Sequence, residues 1–193
     1  DVNVSTVLNA VGAPLCMRRC SHRLTDAVKQ MLSFNGTMNK LDSLCNIFEK
    51  SKKCIHRRKA CGPTDVFDAV TSGIEYACVT KRDSFEKAAP CLAGKIDQLL
   101  IDCDKECSIR AALASLSTAD TTQIAANMGG NLVLVADGLP PFCNATRCML
   151  PCVTRRANAA CPLSGSLFVD SMVQPFDRAA RLLSNASSFV QKV

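Results

Sequence analysis

The chain has no tryptophan, one tyrosine and only two histidines. Proteins that hold bases stack them on aromatic rings, so this scarcity argues against nucleic acid as a partner. His22 and His56 both sit among arginines and lysines, which disfavour protonation of an imidazole acting as a base. No Gly-x-Ser-x-Gly, His-Glu-x-x-His or phosphate-cradling glycine loop occurs. The expectation is a protein that is not an enzyme and holds no cofactor. No apolar run approaches the roughly 18 residues a membrane span requires, so no membrane-spanning segment is expected. The chain opens at Asp1 without a charged and apolar leader, which reads as a mature form whose signal peptide has been removed. Also missing is any Cys-x2-Cys pair, the spacing of zinc knuckles and of thioredoxin-like redox sites.

What the chain does have is thirteen cysteines in 193 residues: Cys16, Cys20, Cys45, Cys54, Cys61, Cys78, Cys91, Cys103, Cys107, Cys143, Cys148, Cys152 and Cys161. Three pairs are spaced Cys-x3-Cys, namely Cys16/Cys20, Cys103/Cys107 and Cys148/Cys152. A four-residue step places both side chains on one face of a helix, where they can staple it twice to a neighbour. Structural disulfides, not a metal site, are the reading. Four N-glycosylation sequons, at Asn3, Asn35, Asn144 and Asn185, point to the same oxidising, secretory route and an extracellular location. Because thirteen is odd, one cysteine lacks an intramolecular partner, which implies a buried free thiol or a disulfide-linked homodimer.

Hydrophobic period is helical nearly throughout. Cys16, Cys20, Leu24, Val28 and Met31 form one stripe, which Pro14 opens as first helical residue. Met38, Leu41, Leu44, Cys45 and Phe48 form the next, after a turn at Asn35-Gly36 and with Thr37 as cap. Phe67, Val70, Ile74, Ala77 and Cys78 share a face, capped by Thr64 or Asp65. Asp83 and Glu86 resemble a capping box for a run carrying Phe85, Ala89, Leu92, Ile96, Leu99, Cys103 and Cys107, with Pro90 as a kink or a second start. Asp102, Asp104 and Glu106 read as a solvated acidic face beside it. A short helix over 120–128 stops at Gly129-Gly130, and 131–136 is an apolar connector or another short helix. Pro151 threatens the register of Cys148 and Cys152, and Pro175 predicts a kink in a helix from Phe168 to Val190. The fold class expected is all-α, a disulfide-stapled multi-helix bundle in a single domain: an N-terminal extension over 1–13, the cysteine-rich helical domain over 14–185, and a C-terminal tail over 186–193.

The order of these signals carries a resemblance. Cys-x3-Cys, Leu44-Cys45, Cys54, Cys61, Ser72-Gly-Ile-Glu-Tyr-Ala-Cys78, Cys91-Leu92, Cys103-x3-Cys107, then Cys143-x4-Cys148-x3-Cys152-x8-Cys161 and Gln174-Pro175-Phe176 resemble the nematode chondroitin proteoglycan 4 domain family from about Pro14 to Leu183. The resemblance implies a secreted protein, in a family where some members carry chondroitin chains in eggshell or extracellular matrix and many have no assigned biochemical activity. Attachment needs a Ser-Gly flanked by acids, which neither Ser72-Gly73 nor Ser164-Gly165 provides, so both are expected to serve packing or capping.

Charge suggests a different link to polyanions. The net charge of +6 is uneven: Lys50, Lys52, Lys53, His56, Arg57, Arg58 and Lys59 crowd ten positions, held in shape by Cys54 and Cys61. Clustered Lys and Arg answer sulfate groups by charge-assisted hydrogen bonds and counterion release. The function expected is a non-enzymatic extracellular binding or matrix protein with glycosaminoglycan or an extracellular protein as partner. The rivals are a carrier of a lipid or small hydrophobic ligand, and a secreted parasite effector that binds a host protein.

Overall fold

The computed structural model describes the backbone of residues 2–190 and the side chains through Leu182. Twelve helices follow one another, with no strand among the described residues. They are α1 (Val4–Ala10), α2 (Leu15–Met31), α3 (Thr37–His56), α4 (Asp65–Val70), α5 (Ser72–Glu75), α6 (Arg82–Leu92), α7 (Ile96–Cys107), α8 (Ile109–Thr118), α9 (Asp120–Asn127), α10 (Leu132–Asp137), α11 (Leu139–Ala160) and α12 (Ser164–Val190). A 3₁₀ turn (Lys59–Cys61) follows α3, and a π-helical turn (Tyr76–Thr80) follows α5.

The stripes read from the sequence face three apolar clusters. Leu24, Leu44, Phe48 and Ile55 meet Phe67 of α4 in one. Leu92, Ile96, Leu99 and Cys103 meet Met149 and Val153 of α11 in a second. Leu92, Ile96 and Val153 are completely buried, each contributing roughly 1.5–3 kcal/mol over leaving the side chain in water. The third and smallest cluster joins Ala10 of α1 to Ala125 of α9 and Val135 of α10, and there the Asn131 amide donates to the Ala10 carbonyl at 2.8 Å. The segment set apart as an N-terminal extension thus includes a helix packed on the rest of the chain. The backbone of the segment set apart as a C-terminal tail is helical to Val190, and residues 191–193 lie outside the described residues.

Six disulfides lock these helices: Cys16–Cys61, Cys20–Cys54, Cys45–Cys78, Cys91–Cys161, Cys103–Cys152 and Cys107–Cys148. Pro151 does not disturb the third pair, because α11 runs through it and presents Cys148 and Cys152 together to α7. The odd cysteine is Cys143, exposed on α11, which removes the buried-thiol alternative.

Several local expectations change. Pro14 is the residue before α2 rather than its first. Thr37 does not cap α3 with its side chain. Asp97 of α7 does so from a distance, its carboxylate accepting from the Gly36 and Thr37 amides at 2.6 and 2.9 Å. Burial works against ionisation of Asp97, but the hydrogen bonds from Thr37 and Gly36 outweigh it and hold its carboxyl below the usual range. Neither Asp83 nor Glu86 caps α6: no side chain caps that helix, and Glu86 accepts from Arg82 at 2.7 Å. The run containing Pro90 is two helices, α6 and α7, separated at 93–95. The face over 64–78 breaks at Thr71, leaving Val70 48% exposed. Asp104 belongs to no solvated face, since it is 8% exposed and accepts from the Arg110 amide and Nε at 2.9 and 2.6 Å.

Both Ser-Gly steps are helix contacts. A Cβ at Gly73 would lie 2.3 Å from the Ser171 carbonyl, and one at Gly165 2.5 Å from that of Thr154. Ser72 and Ser164 are each 2% exposed. Their hydroxyls donate to the Ala69 carbonyl and to those of Ala157 and Cys161, respectively. Packing and capping, as anticipated, occupy these serines.

Candidate functional site

The α2/α3 pair carries the molecule's excess positive charge. Of 23 Lys and Arg and 17 Asp and Glu, eleven and three lie between residues 14 and 60, leaving twelve and fourteen for the rest of the chain. The two helices pack side by side because each turns an apolar stripe inward, and disulfides Cys16–Cys61 and Cys20–Cys54 clamp one end. Three sulfurs, of Cys16, Cys20 and Cys61, lie within 4.8 Å of one another. All three are committed to disulfides, so none offers the thiolate a metal would need.

Along the outside of this pair runs an open groove of about 580 Å³. Arg19, His22 and Arg23 stand on its α2 wall and Lys50 on its α3 wall, over a floor that includes Ile47 and the Cys20–Cys54 bridge. Arg18, also at its edge, is anchored by an Nη1 hydrogen bond to Asn9 Oδ1 at 2.6 Å. A second depression of about 300 Å³ shares Arg23 and Ile47 with the first and extends to Lys40. The arginines of α2 escape a reading of local charge density because some thirty residues separate them from Lys50. Their signal is the 19/22/23 step, which sets three basic groups on the helix beside the inward Cys16/Cys20 face.

Of the basic residues expected to act together over 50–59, the structure divides two groups. Lys52 pairs with Glu75, Lys53 with Glu49, and His56 with Asp68 at 3.0 Å. Lys50, Arg57, Arg58 and Lys59 are exposed and in no ion pair among the described residues. They are the members of the set available to an incoming anion. Asp68 also accepts from the Thr64 hydroxyl at 2.9 Å. The acid therefore stands between histidine and hydroxyl, an order that does not let His56 take the proton of Thr64. His22 faces Asp26 at 3.6 Å.

Three sequon asparagines, Asn3, Asn35 and Asn144, are exposed. Asn3 caps α1 through its Oδ1, which accepts from the Thr6 amide at 3.2 Å and leaves its Nδ2 for a glycan. The side chain of Asn185 lies outside the described residues. Among the described residues no helix is long and apolar enough to cross a membrane.

A family model described as Chondroitin proteoglycan 4 matches residues 5–191. Among curated proteins, Chondroitin proteoglycan 4 of Caenorhabditis elegans is 25% identical over 97 residues, covering 49% of this chain and 12% of the relative. Its namesake from Caenorhabditis briggsae is 24% identical over 97 residues, covering 49% of this chain and 14% of the relative. The matches thus span a small fraction of those relatives' length. No solved structure matches. With nearly its whole length matched, the chain belongs to the chondroitin proteoglycan 4 family.

Proposed function

We propose that this member of the chondroitin proteoglycan 4 family is a secreted, N-glycosylated, non-enzymatic extracellular matrix protein that binds glycosaminoglycans or related polyanions. The observation that carries the reading is the excess positive charge of residues 14–60, exposed and outside any ion pair among the described residues at Lys50 on α3 and at Arg57, Arg58 and Lys59 just after it. Six disulfides and the family's proteoglycan character are consistent with an extracellular setting. Within this chain both Ser-Gly steps are buried in helix contacts, so its relation to such a polysaccharide is one of binding rather than of carrying it.

Sulfates along a chain present closely spaced negative charge, and each Lys or Arg contact displaces a condensed counterion. Retention on a heparin or chondroitin sulfate column should therefore persist above physiological salt. The triple substitution Arg57→Ala, Arg58→Ala, Lys59→Ala should move elution to lower salt. Elution below physiological salt, unchanged by the triple substitution, overturns the reading. Native mass spectrometry run beside it distinguishes the rival carrier, which would emerge with a copurified lipid.

A further inference from the structure

Residues 50–59 form a compact basic patch, but the α2/α3 pair that carries it is elongated. The two depressions are continuous through Arg23 and Ile47. On α3 Lys40, Ile47, Lys50 and Cys54 advance by three, four or seven residues, so these side chains lie along one stripe of a single helix, and Arg57, the helical-conformation residue just after α3, continues the step beyond the groove's lining. From Lys40 to Arg57 that stripe is about 25 Å long at 1.5 Å per residue. Arg19 and Arg23 face it from α2. The one acid on the groove's lining is Asp26, set against His22 at 3.6 Å.

We infer that the α2/α3 groove is a linear track for an extended sulfated polysaccharide, with Arg19, Arg23, Lys40 and Lys50 as binding residues alongside Arg57. This rests on the polyanion reading and gives it a site, a direction and a minimum ligand length. A compact anion such as a single phosphate or lipid headgroup would use one cation cluster and leave the rest of the track empty. A sugar chain fits the mixed lining, since its sulfates can meet cations on both walls while the C–H faces of its rings rest over Ile47 and the disulfide. Nucleic acid is disfavoured because no Phe, Tyr or Trp ring lines the groove. The clamp of Cys16–Cys61 and Cys20–Cys54 holds the walls in place before binding, which lowers the entropy lost on association.

Titration calorimetry with size-fractionated heparin oligosaccharides tests this on the intact chain. Affinity should rise with oligosaccharide length and level off once the track is filled. Arg19→Ala with Arg23→Ala, both exposed and remote from the core, should weaken binding of long oligosaccharides on the order of tenfold. Lys40→Ala, at the far end, should weaken long oligosaccharides and spare short ones. Affinity independent of length, or groove variants that bind like the parent while the 57–59 triple variant does not, overturns the track and leaves the basic patch standing. Failure of the parent chain to bind any oligosaccharide overturns the patch as well.

Discussion

Two regions of this molecule use the same device to different ends. In α2/α3 and in α7/α11 a Cys-x3-Cys helix is stapled twice: Cys20 to Cys54 of α3 and Cys16 to Cys61 of the 3₁₀ turn that follows it, and Cys103 and Cys107 to Cys152 and Cys148 of α11. The α7/α11 pair is interior. Cys103 is fully buried, and three acids of α7 are met by arginines: Asp102 and Glu106 by Arg156, and Asp104 by Arg110, whose guanidinium lies 5.1 Å from the Phe34 ring centre. In α2/α3, by contrast, Cys16, Cys20 and Cys54 are only partly buried, and the cations along the outside mostly lack acids. Where a stapled pair forms the core, every acid of its first helix has a partner. Where it borders solvent, the staples permit a concentration of like charge that would otherwise push the helices apart.

The largest expected effect breaks the interior pair. Cys103→Ala with Cys152→Ala removes a cross-link and leaves a void in the main cluster, so thermal or denaturant unfolding should show a loss of about 2–5 kcal/mol. Cys20→Ala with Cys54→Ala, at a partly exposed staple closing a shorter loop, should cost less in the same measurement.

Next comes Arg110→Ala, which leaves the Asp104 carboxylate buried without its charged partner and should cost roughly 1–3 kcal/mol. Asp97→Ala follows at about 0.5–2 kcal/mol, because it uncaps α3 at the seam between the two regions. The pH profile sharpens that assignment. Since the folded-state pKa of Asp97 is depressed, its stabilisation is full above the unfolded carboxyl value of about 3.9 and is lost as pH falls through the lower folded value. Denaturant midpoints of the parent should therefore fall in acid more steeply than those of Asp97→Asn.

Smallest is the effect of charge at the two surfaces. Arg156→Ala should change stability by no more than about 1 kcal/mol, because its ion pairs are solvent-exposed. Arg19→Ala with Arg23→Ala should leave stability unchanged or slightly raised at low salt, since it relieves like-charge repulsion. A marked loss of stability in the latter variant would make these arginines structural and weaken the contrast between the regions.

Much of this architecture was legible in the chain because helical period and cysteine spacing are local. Stripes such as Leu24 with Cys20, or Leu99 with Cys103, need only a 3.6-residue repeat to be read. The short helix after Gly129-Gly130 was legible as one of two options, and Asn131 decides it by accepting from the Val133 and Leu134 amides. What misled were features settled by contacts between helices rather than by the local repeat. Thr37 looked like a cap because it stands at the right place, yet the acceptor comes from Asp97. Asp104 looked solvated beside Asp102 and Glu106 until α8 brought Arg110 over it. Pro151 looked like a breaker, but α11 continues through it between two disulfide-bonded cysteines. In the candidate site, Arg57, Arg58 and Lys59 were visible as a run, whereas Arg19 and Arg23 come beside Lys50 only because α2 and α3 are clamped together.

The sequence alone determined a helical chain with inward-facing cysteines, one of them odd, and an excess of positive charge before residue 60, since composition and period need no long-range contact. Only the tertiary structure decided which cysteines meet, that Cys143 is left exposed, that both Ser-Gly steps are buried, and that separated cations line one groove. Each of these depends on which helix faces which, and that is set by packing between segments tens of residues apart.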